Sequence, residues 1–272
     1  MATGLSLHIG VNSVDPSHYQ GWYGELMVCE ADALAMATIA RSRGFRASVL
    51  LTKAAVRKAV LGHLKKAVRA LQAGDIYCMT FAGHGGQIPD RNGDEEDNRD
   101  ETWCLYDAQL IDDELWAMWA QFRKGVRVLI VADCCHSGTI ARVAPLMRPE
   151  FVGRVRFAPS PVIMMTYRAH KRFYDGLQKD LPPVEKTMKA GRGDPSLLGL
   201  TGCQDNQLAS EGQDNGLFTG ELVRVWNDGK FAGSYLKMIA AIKPGMPATQ
   251  SPNLFSAGTR SNTFARQSPF SI

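Results

Sequence analysis

The hydrophobic and polar positions of the chain fall into two repeating patterns. Apolar, β-branched runs of strand length lack the alternation of a half-exposed strand, which is typical of strands buried on both faces of a parallel sheet. Two such runs lie at residues 75–82 and 128–133, and further strands are expected at residues 5–12, 46–51 and 196–203. Helical patterns separate them at residues 26–43, 52–71, 112–122, 216–226 and 235–242. This order predicts an α/β fold in which a mostly parallel central sheet carries helices on both faces.

Smaller elements complete the prediction. Thr52 is expected to cap the second helix, and residues 103–106 and 252–255 are expected to form short strands, the second at a sheet edge. The stretch 140–195 follows neither pattern, because it has seven prolines, little periodicity and a cluster of basic residues. We predict a single domain over residues 1–272 with a long basic loop at 140–195, inside which residues 162–167 form a short strand.

Length and composition narrow the class of protein. The 272 residues are 45% apolar, which suffices for one core, and six cysteines are too few for a disulfide scaffold. A net charge of +4 gives little support to nucleic-acid binding. No apolar run reaches the length of a membrane span, and the first residues do not resemble a secretion signal. We therefore expect a cytoplasmic protein that binds neither nucleic acid nor membrane.

Two of the predicted strands end in residues that can carry chemistry. The strand at 75–82 runs into Gly83, His84 and Gly85, and the strand at 128–133 runs into Cys134 and Cys135. Neighbouring parallel strands would bring a thiol and an imidazole to the same edge, as a nucleophile and its base require. A vicinal disulfide is the alternative, as is a zinc site made of Cys134, Cys135 and His136, which lacks the usual ligand spacing.

These motifs, with the acidic run at 93–97 and the strand end at 198–204, resemble those of the metacaspases. The histidine of caspase-type proteases lies about 50 residues before the cysteine, and His84 precedes Cys135 by 51 residues. The resemblance extends from Leu5 to about Phe255. It implies a caspase-like three-layer sandwich and a monomeric cysteine endopeptidase acting on proteins or peptides after Arg or Lys. It assigns Cys135 as nucleophile and His84 as its partner, and the N–H groups of Gly85 and Cys135 to the oxyanion.

The resemblance also implies an acidic pocket for the side chain before the cleaved bond. The matching positions are Cys29, Asp32, Asp133 and Asp205. A serine is common in the family two residues before the histidine, and this chain has Ala82 there, which removes one hydrogen bond. The alternative is that Asp32 lies on a solvated helix face and that Asp205 caps a turn.

Residues 90–114 hold eleven acids against two arginines, which raises the question of a metal. The acidic run does not fit an EF-hand, because Glu95 occupies the position that requires glycine. The resemblance implies calcium ligands at Asp100, Asp112 and Asp113, but the fourth family aspartate is Arg142 here. We expect no required cofactor and at most a weak calcium site. A solvated acidic loop, with Asp112 capping the helix that follows, is the alternative.

The basic loop suggests that the protein processes itself. Caspase-fold enzymes divide their two subunits in this part of the chain, and the predicted specificity is for basic residues. The candidate cleavage sites are Lys171, Arg172, Lys179, Lys186, Lys189 and Arg192. A catalytically silent regulatory protein of the same fold, or a calcium-binding protein, is the alternative function.

Overall fold

A central sheet and a smaller sheet form the frame of the protein. The structure is a computed structural model that describes residues 2–93, 95, 97–134, 155–179, 181, 194–204, 207 and 209–272. The strands are β1 (Gly4–Gly10), β2 (Arg46–Leu51), β3 (Ile76–Ala82), β4 (Gly85–Pro89), β5 (Arg99–Cys104), β6 (Gln109–Ile111), β7 (Arg127–Asp133), β8 (Ser196–Thr201) and β9 (Asn253–Ala257).

The central sheet has the strand order β2-β1-β3-β7-β8-β9. Its first five strands are parallel, and β9 pairs antiparallel with β8 at the edge. The predicted parallel sheet and its edge strand are therefore confirmed. The strands β4, β5 and β6 follow β3 in the chain and form the small antiparallel sheet in that order.

Helices cover both faces of the central sheet. They are α1 (Cys29–Ser42), α2 (Arg57–Ala70), α3 (Asp112–Trp119), α4 (Ser160–Ala169), α5 (Lys171–Gln178), α6 (Leu217–Trp226), α7 (Tyr235–Ile242) and α8 (Ser261–Ala265). Helices α2 to α5 pack on one face, and α1 with α6 to α8 on the other. Among the described residues, no helix combines the length and apolar character needed to cross a bilayer.

The residues of β7 are apolar on both sides because both faces of the strand are buried. Val128 and Ile130 contribute to the core under α2 to α5, whereas Leu129 and Val131 contribute to the core under α1 and α6 to α8. Successive side chains of a strand point to opposite faces, so a strand between two helical layers needs an uninterrupted apolar run. The run that predicted this strand is thus the direct consequence of the three-layer architecture.

The structure differs from the predicted elements at several places. Part of the predicted loop at 140–195 forms helices α4 and α5, and helix α8 was not predicted. Residues 162–167 lie in helix α4 and not in a strand, because Ile163 and Tyr167 recur at helical spacing toward the core. Thr52 does not cap α2, which begins at Arg57, and its hydroxyl donates to the Glu30 carboxylate instead. The strands β4 and β6 were not predicted, because both are short and β4 begins with two glycines.

Candidate active site

The carboxyl ends of β3 and β7 meet at one edge of the central sheet. The two strands are neighbours, and their register sets Ala82 opposite Asp133. His84 follows the first strand after one glycine, and Cys134 follows the second directly. Open α/β sheets place their ligands at this edge. Cys135, the predicted nucleophile, is the next residue of the chain and lies outside the described residues.

The imidazole of His84 is buried at this edge. Its residue is 6% exposed, and the Trp22 ring packs against it with 4.8 Å between centroids. Neither ring nitrogen has a hydrogen bond of normal geometry among the described residues. Burial lowers the pKa of His84 to about 3, and the nearby backbone groups of Gly24 and Phe157 oppose this only in part. The ring is therefore neutral at physiological pH, which is the protonation state that a general base requires.

Two buried carboxylates form an acidic pocket beside this histidine. Asp32 on α1 and Asp133 at the end of β7 are each 1% exposed. Both pair with the guanidinium of Arg156, whose Nη2 lies 2.5 Å from Asp32 Oδ2 and whose Nη1 lies 3.1 Å from Asp133 Oδ2. Nη1 also donates to the Asp133 carbonyl oxygen at 3.1 Å. The structure thus brings together two predicted pocket residues around one arginine of the same chain.

The start of α6 holds both carboxylates in place. Asn215 Nδ2 and Gly216 N each donate to Asp32 Oδ1 at 2.9 Å. Thr219 donates to Asp133 Oδ2 from its backbone N at 3.0 Å and from its hydroxyl at 2.7 Å. These donors are neutral and reach Asp32 Oδ1 and Asp133 Oδ2, whereas Asp133 Oδ1 is buried without a hydrogen-bond partner. The pocket therefore keeps its attraction for a cation.

Gly216 forms one wall of the acidic pocket. A Cβ added there would lie 2.4 Å from Asp133 Oδ2 and 2.5 Å from Arg156 Nη1. Such distances are far below van der Waals contact, so any larger residue would push the guanidinium out of the pocket. Burial raises the pKa of Asp32 to about 6, against the lowering effect of Arg156.

Sequence reasoning missed Arg156, Asn215, Gly216 and Thr219. Arg156 was counted with the basic residues of the 140–195 loop, and nothing in its local sequence separates it from them. The other three residues lie where the pattern showed only the beginning of a helix. The small residues Gly216 and Thr219, at the start of an otherwise apolar helix, were the only signal available.

The other predicted pocket residues have different positions. Cys29 is fully buried at the first turn of α1, where it packs with Leu26 and Ala82, and burial raises the pKa of its thiol. Gly10 lets this turn approach β1, because a Cβ there would lie 2.3 Å from the Cys29 carbonyl oxygen. Cys29 therefore contributes to the packing of the turn of α1 that carries Asp32. Asp205 lies outside the described residues.

Cys134 is enclosed by protein at the end of β7. It is fully buried, and burial raises the pKa of its thiol well above the ordinary value. The thiol of Cys203 donates to the Cys134 carbonyl oxygen at 3.3 Å. A protonated, buried thiol is a poor nucleophile, so the first cysteine of the pair acts in packing. His136 of the alternative zinc site lies outside the described residues.

The acidic loop and the start of α3 form a cluster of carboxylates. Glu95, Glu101 and Asp112 each offer an oxygen, and these atoms lie within 4.8 Å of one another. Oδ1 of Asp112 is buried without a hydrogen-bond partner. Burial raises the pKa of Asp112 well above its ordinary range, and Glu101 and Asp113 raise it further. An all-oxygen set with an unpaired carboxylate oxygen fits a hard cation such as calcium.

The cluster differs from the predicted ligand set. Asp100 and Asp113 are buried nearby and contribute their charge, and Asn92 donates to Asp113 Oδ2 at 2.6 Å. Asp112 is the first residue of α3 rather than its cap, a position that Ile111 holds. Arg142, the expected substitute for a fourth ligand, lies outside the described residues.

The chain is similar to proteins of a known family. Residues 6–144 match the family described as "Metacaspase, peptidase C14 domain". Metacaspase-1 of Mycosarcoma maydis is 27% identical over 79% of this chain and 59% of that protein, and metacaspase-1 of Schizosaccharomyces pombe is 25% identical over 88% and 63%. The chain thus spans about three-fifths of the length of these relatives. The crystal structure of protein GSU0716 from Geobacter sulfurreducens is 46% identical, with a TM-score of 0.88 over 99% of both chains.

Proposed function

Because the chain belongs to the metacaspase family of cysteine peptidases, we propose that it is an endopeptidase that cleaves proteins and peptides after Arg or Lys. The observation that carries this specificity is the guanidinium held between Asp32 and Asp133. Two carboxylates around a planar guanidinium give charge-assisted hydrogen bonds that favour Arg over Lys. A substrate arginine would find the same partners. We expect the protein to act as a monomer in the cytoplasm.

The proposed mechanism divides the reaction among three residues. Cys135 supplies the thiolate that attacks the carbonyl carbon of the bond to be cut. His84 accepts the thiol proton and then protonates the leaving amine. Gly85 N–H donates to the carbonyl oxygen, as it does to the carbonyl oxygen of Arg156 at 3.0 Å, which favours the negative charge that develops there.

Fluorogenic peptides test this proposal directly. Peptides with Arg or Lys before the cleaved bond should be hydrolysed, with Arg preferred, and peptides with Asp should not. A second candidate function is a catalytically silent protein of the same fold, which the occupied pocket supports because a filled site excludes substrate. Absence of turnover with every peptide would favour that candidate.

The pH dependence of the reaction should report on Asp32. A substrate arginine requires the ionised carboxylate, whose pKa burial raises to about 6 with Arg156 bound. An empty pocket lacks that cation, so the pKa of Asp32 is at least as high there. We expect kcat/KM for Arg peptides to fall as the pH drops below about 6. Because Asn cannot ionise, Asp32→Asn should give a low profile without this inflection, and an unchanged inflection in the variant would contradict the assignment.

Calcium is an ion that fits the carboxylate cluster found among the described residues. We expect Glu95, Glu101 and Asp112 to hold it, with Asp100 and Asp113 contributing negative charge. The ion would neutralise these carboxylates and fix the acidic loop beside β4. With few protein ligands the dissociation constant should be about 10⁻⁴–10⁻³ M, the range of weak sites.

Isothermal titration of the chelated protein measures this binding. Asp112→Asn should abolish the heat of binding, because it removes the carboxylate with the unpaired oxygen. Asp97→Asn, an exposed acid of the same loop, should leave it unchanged. Equal binding by all three proteins, or none by the wild type at millimolar calcium, would show that the loop is merely acidic.

A further inference from the structure

An open cavity with a basic lining, here called the basic cavity, lies between helix α5 and the acidic loop. Its volume is about 820 Å³, and it is lined by Arg91, Lys171, Arg172, Asp175, Gly176 and Lys179. Four positive charges and one negative charge leave the lining with an excess of three positive charges. The basic cavity shares no residue with the acidic pocket around Asp32 and Asp133.

Helices α4 and α5 hold Arg91 at one side of the basic cavity. Its Nε and Nη2 donate to the Tyr167 hydroxyl at 3.2 and 2.7 Å, and its Nε lies 3.2 Å from Asp175 Oδ1. The Tyr167 hydroxyl in turn donates to Asp175 Oδ1 at 2.5 Å, and Lys171 pairs with the second oxygen of this carboxylate. A guanidinium fixed in this way loses less conformational freedom when it binds a ligand.

The other two cations of the lining keep their full charge. Arg172 and Lys179 are exposed, and neither forms an ion pair with any residue that the structure describes. They are two helical turns apart, so they lie on one face of the helix together with Asp175 and Gly176. Cations that line one cavity repel each other unless an anion lies between them.

Helix α5 has two features that are unfavourable for a helix by itself. Lys171 and Arg172 occupy its first turn, where the partial positive charge of the helix N-terminus disfavours cations. Gly176 lies in its interior, where glycine is the least favourable residue after proline. A Cβ added at Gly176 would lie in open space, so packing does not require this glycine. Departures from local preference without a gain in packing are expected at functional sites.

We propose that the basic cavity binds the linked phosphate groups of a small anion, such as a chain of two or three phosphates. The anion would lie among the four cations, occupy the space beside Gly176 and offset the unfavourable charge at the start of α5. Arginine matches phosphate oxygens with two parallel hydrogen bonds, and lysine adds a point charge. Binding there does not depend on the proposed peptidase activity, because no lining residue takes part in it.

The charge and the dimensions of the basic cavity define the size of the anion. A single phosphate group carries a charge of at most about two, which is less than the excess of three in the lining. The cations of α5 span about 12 Å along the helix axis, from Lys171 to Lys179. A nucleic acid is bound along a longer basic groove that follows its backbone, so a short phosphate chain fits the cavity better.

Three residues of the basic cavity are also candidates for self-processing. Lys171 and Arg172 lie inside helix α5 and Lys179 directly after it, whereas proteases cut most readily at exposed loop tips. The remaining candidates lie outside the described residues; they are Lys186, Lys189 and Arg192. Self-processing stays a prediction, and anion binding gives the exposed charges of α5 a role that needs no cleavage.

Isothermal titration of the full-length protein with tripolyphosphate measures this binding, at fixed ionic strength and without divalent cations. We expect saturable binding that is about tenfold or more tighter than that of orthophosphate, because more charged contacts form. The melting temperature should rise with tripolyphosphate, since a ligand of the folded state stabilises it. Adenosine triphosphate separates two sources of the phosphate chain: equal affinity means that the phosphates alone are recognised, and tighter binding means that the nucleoside contributes.

Substitutions within the basic cavity locate the anion. Arg172→Gln and Lys179→Gln should each weaken the binding of tripolyphosphate about tenfold, the usual loss for one charge-assisted contact. Lys237→Gln removes an exposed charge from α7 and should leave the affinity unchanged. Gly176→Ala should raise the melting temperature of the free protein, because alanine favours the helix. The same variant should bind tripolyphosphate more weakly, because its methyl group enters the cavity.

Several results would overturn the proposal. Binding of tripolyphosphate no tighter than that of orthophosphate would do so, as would an affinity that Arg172→Gln and Lys179→Gln leave unchanged. A loss that Lys237→Gln shares would show that only net charge matters. Wild-type affinity in Gly176→Ala would place the anion outside the cavity, and tighter binding of single-stranded DNA would indicate a nucleic-acid surface instead. None of these measurements uses peptide hydrolysis, so a failure of the proposed function leaves them unaffected.

Discussion

Replacing Cys135 by alanine is expected to abolish peptide hydrolysis, whereas replacing its neighbour Cys134 should leave most of it. The reason is that only a thiol able to ionise attacks a carbonyl carbon. Cys134 is fully buried, and burial raises its pKa well above the ordinary value. His84→Ala should lower kcat by about 10²–10⁴, the usual contribution of one general base. The measurement is kcat and KM for an Arg peptide with each purified variant.

The two cysteine variants serve as matched controls for each other. They remove the same chemical group from adjacent positions, so a loss confined to Cys135→Ala identifies the nucleophile. Alkylation by iodoacetamide should likewise modify the 135 thiol in the wild type far faster than the buried one. If both variants lose activity equally, the pair acts together, as in a vicinal disulfide or a metal site.

Replacing Asp133 by asparagine should depress the turnover of Arg peptides by orders of magnitude. Removing one partner of a buried charge pair costs about 2–5 kcal/mol, which corresponds to a loss of roughly thirtyfold to several thousandfold in kcat/KM. The loss should be large because Asp133 contacts the guanidinium through both its carboxylate and its carbonyl oxygen. The experiment compares kcat/KM for Arg, Lys and Asp peptides in the wild type and the variant.

The control for this substitution is Asp228→Asn. Asp228 is an exposed acid after α6 with a φ of 51°, a conformation that asparagine also adopts readily. It should leave every kinetic constant unchanged. Preferred cleavage after Asp or an apolar residue by the wild type would contradict the acidic pocket altogether. Since Asp133→Asn also weakens the buried pair with Arg156, the thermal unfolding of each variant should be recorded alongside.

The main strands and helices could be predicted from the sequence because buried strands and helices have distinct patterns of apolar residues. Strands β3 and β7 are uninterrupted apolar runs, and helices α1, α6 and α7 have apolar positions at helical spacing. The edge at which His84 lies follows from those runs, since neighbouring parallel strands end together. The strand predicted at residues 162–167 was wrong because a short apolar run fits either a strand or one face of a helix.

The partners within the site could not be predicted in the same way. Arg156 contacts Asp32 across 124 positions of the chain, and no local pattern records such a pairing. The acidic cluster shows the same limit: Glu95 and Glu101 join Asp112 only because the hairpin of β4 and β5 folds back on α3. Residue type and spacing thus gave candidates for the reacting groups, while the charge partners of the carboxylates depended on tertiary structure.

Residues 155–158 are held at the edge of the site in a different way from the strands of the central sheet. Six long strands share their hydrogen bonds with neighbours on both sides, except at the edges, and lie between two helical layers. Residues 155–158 pair with the backbone of their neighbours only through isolated bridges, at Gly85 and at Ser210, and are otherwise held by the buried ion pairs of Arg156. Local openings draw on the least protected elements first. The acidic pocket can therefore open without unfolding of the sheet that positions His84, but each opening must separate the buried ion pairs of Arg156 with Asp32 and Asp133.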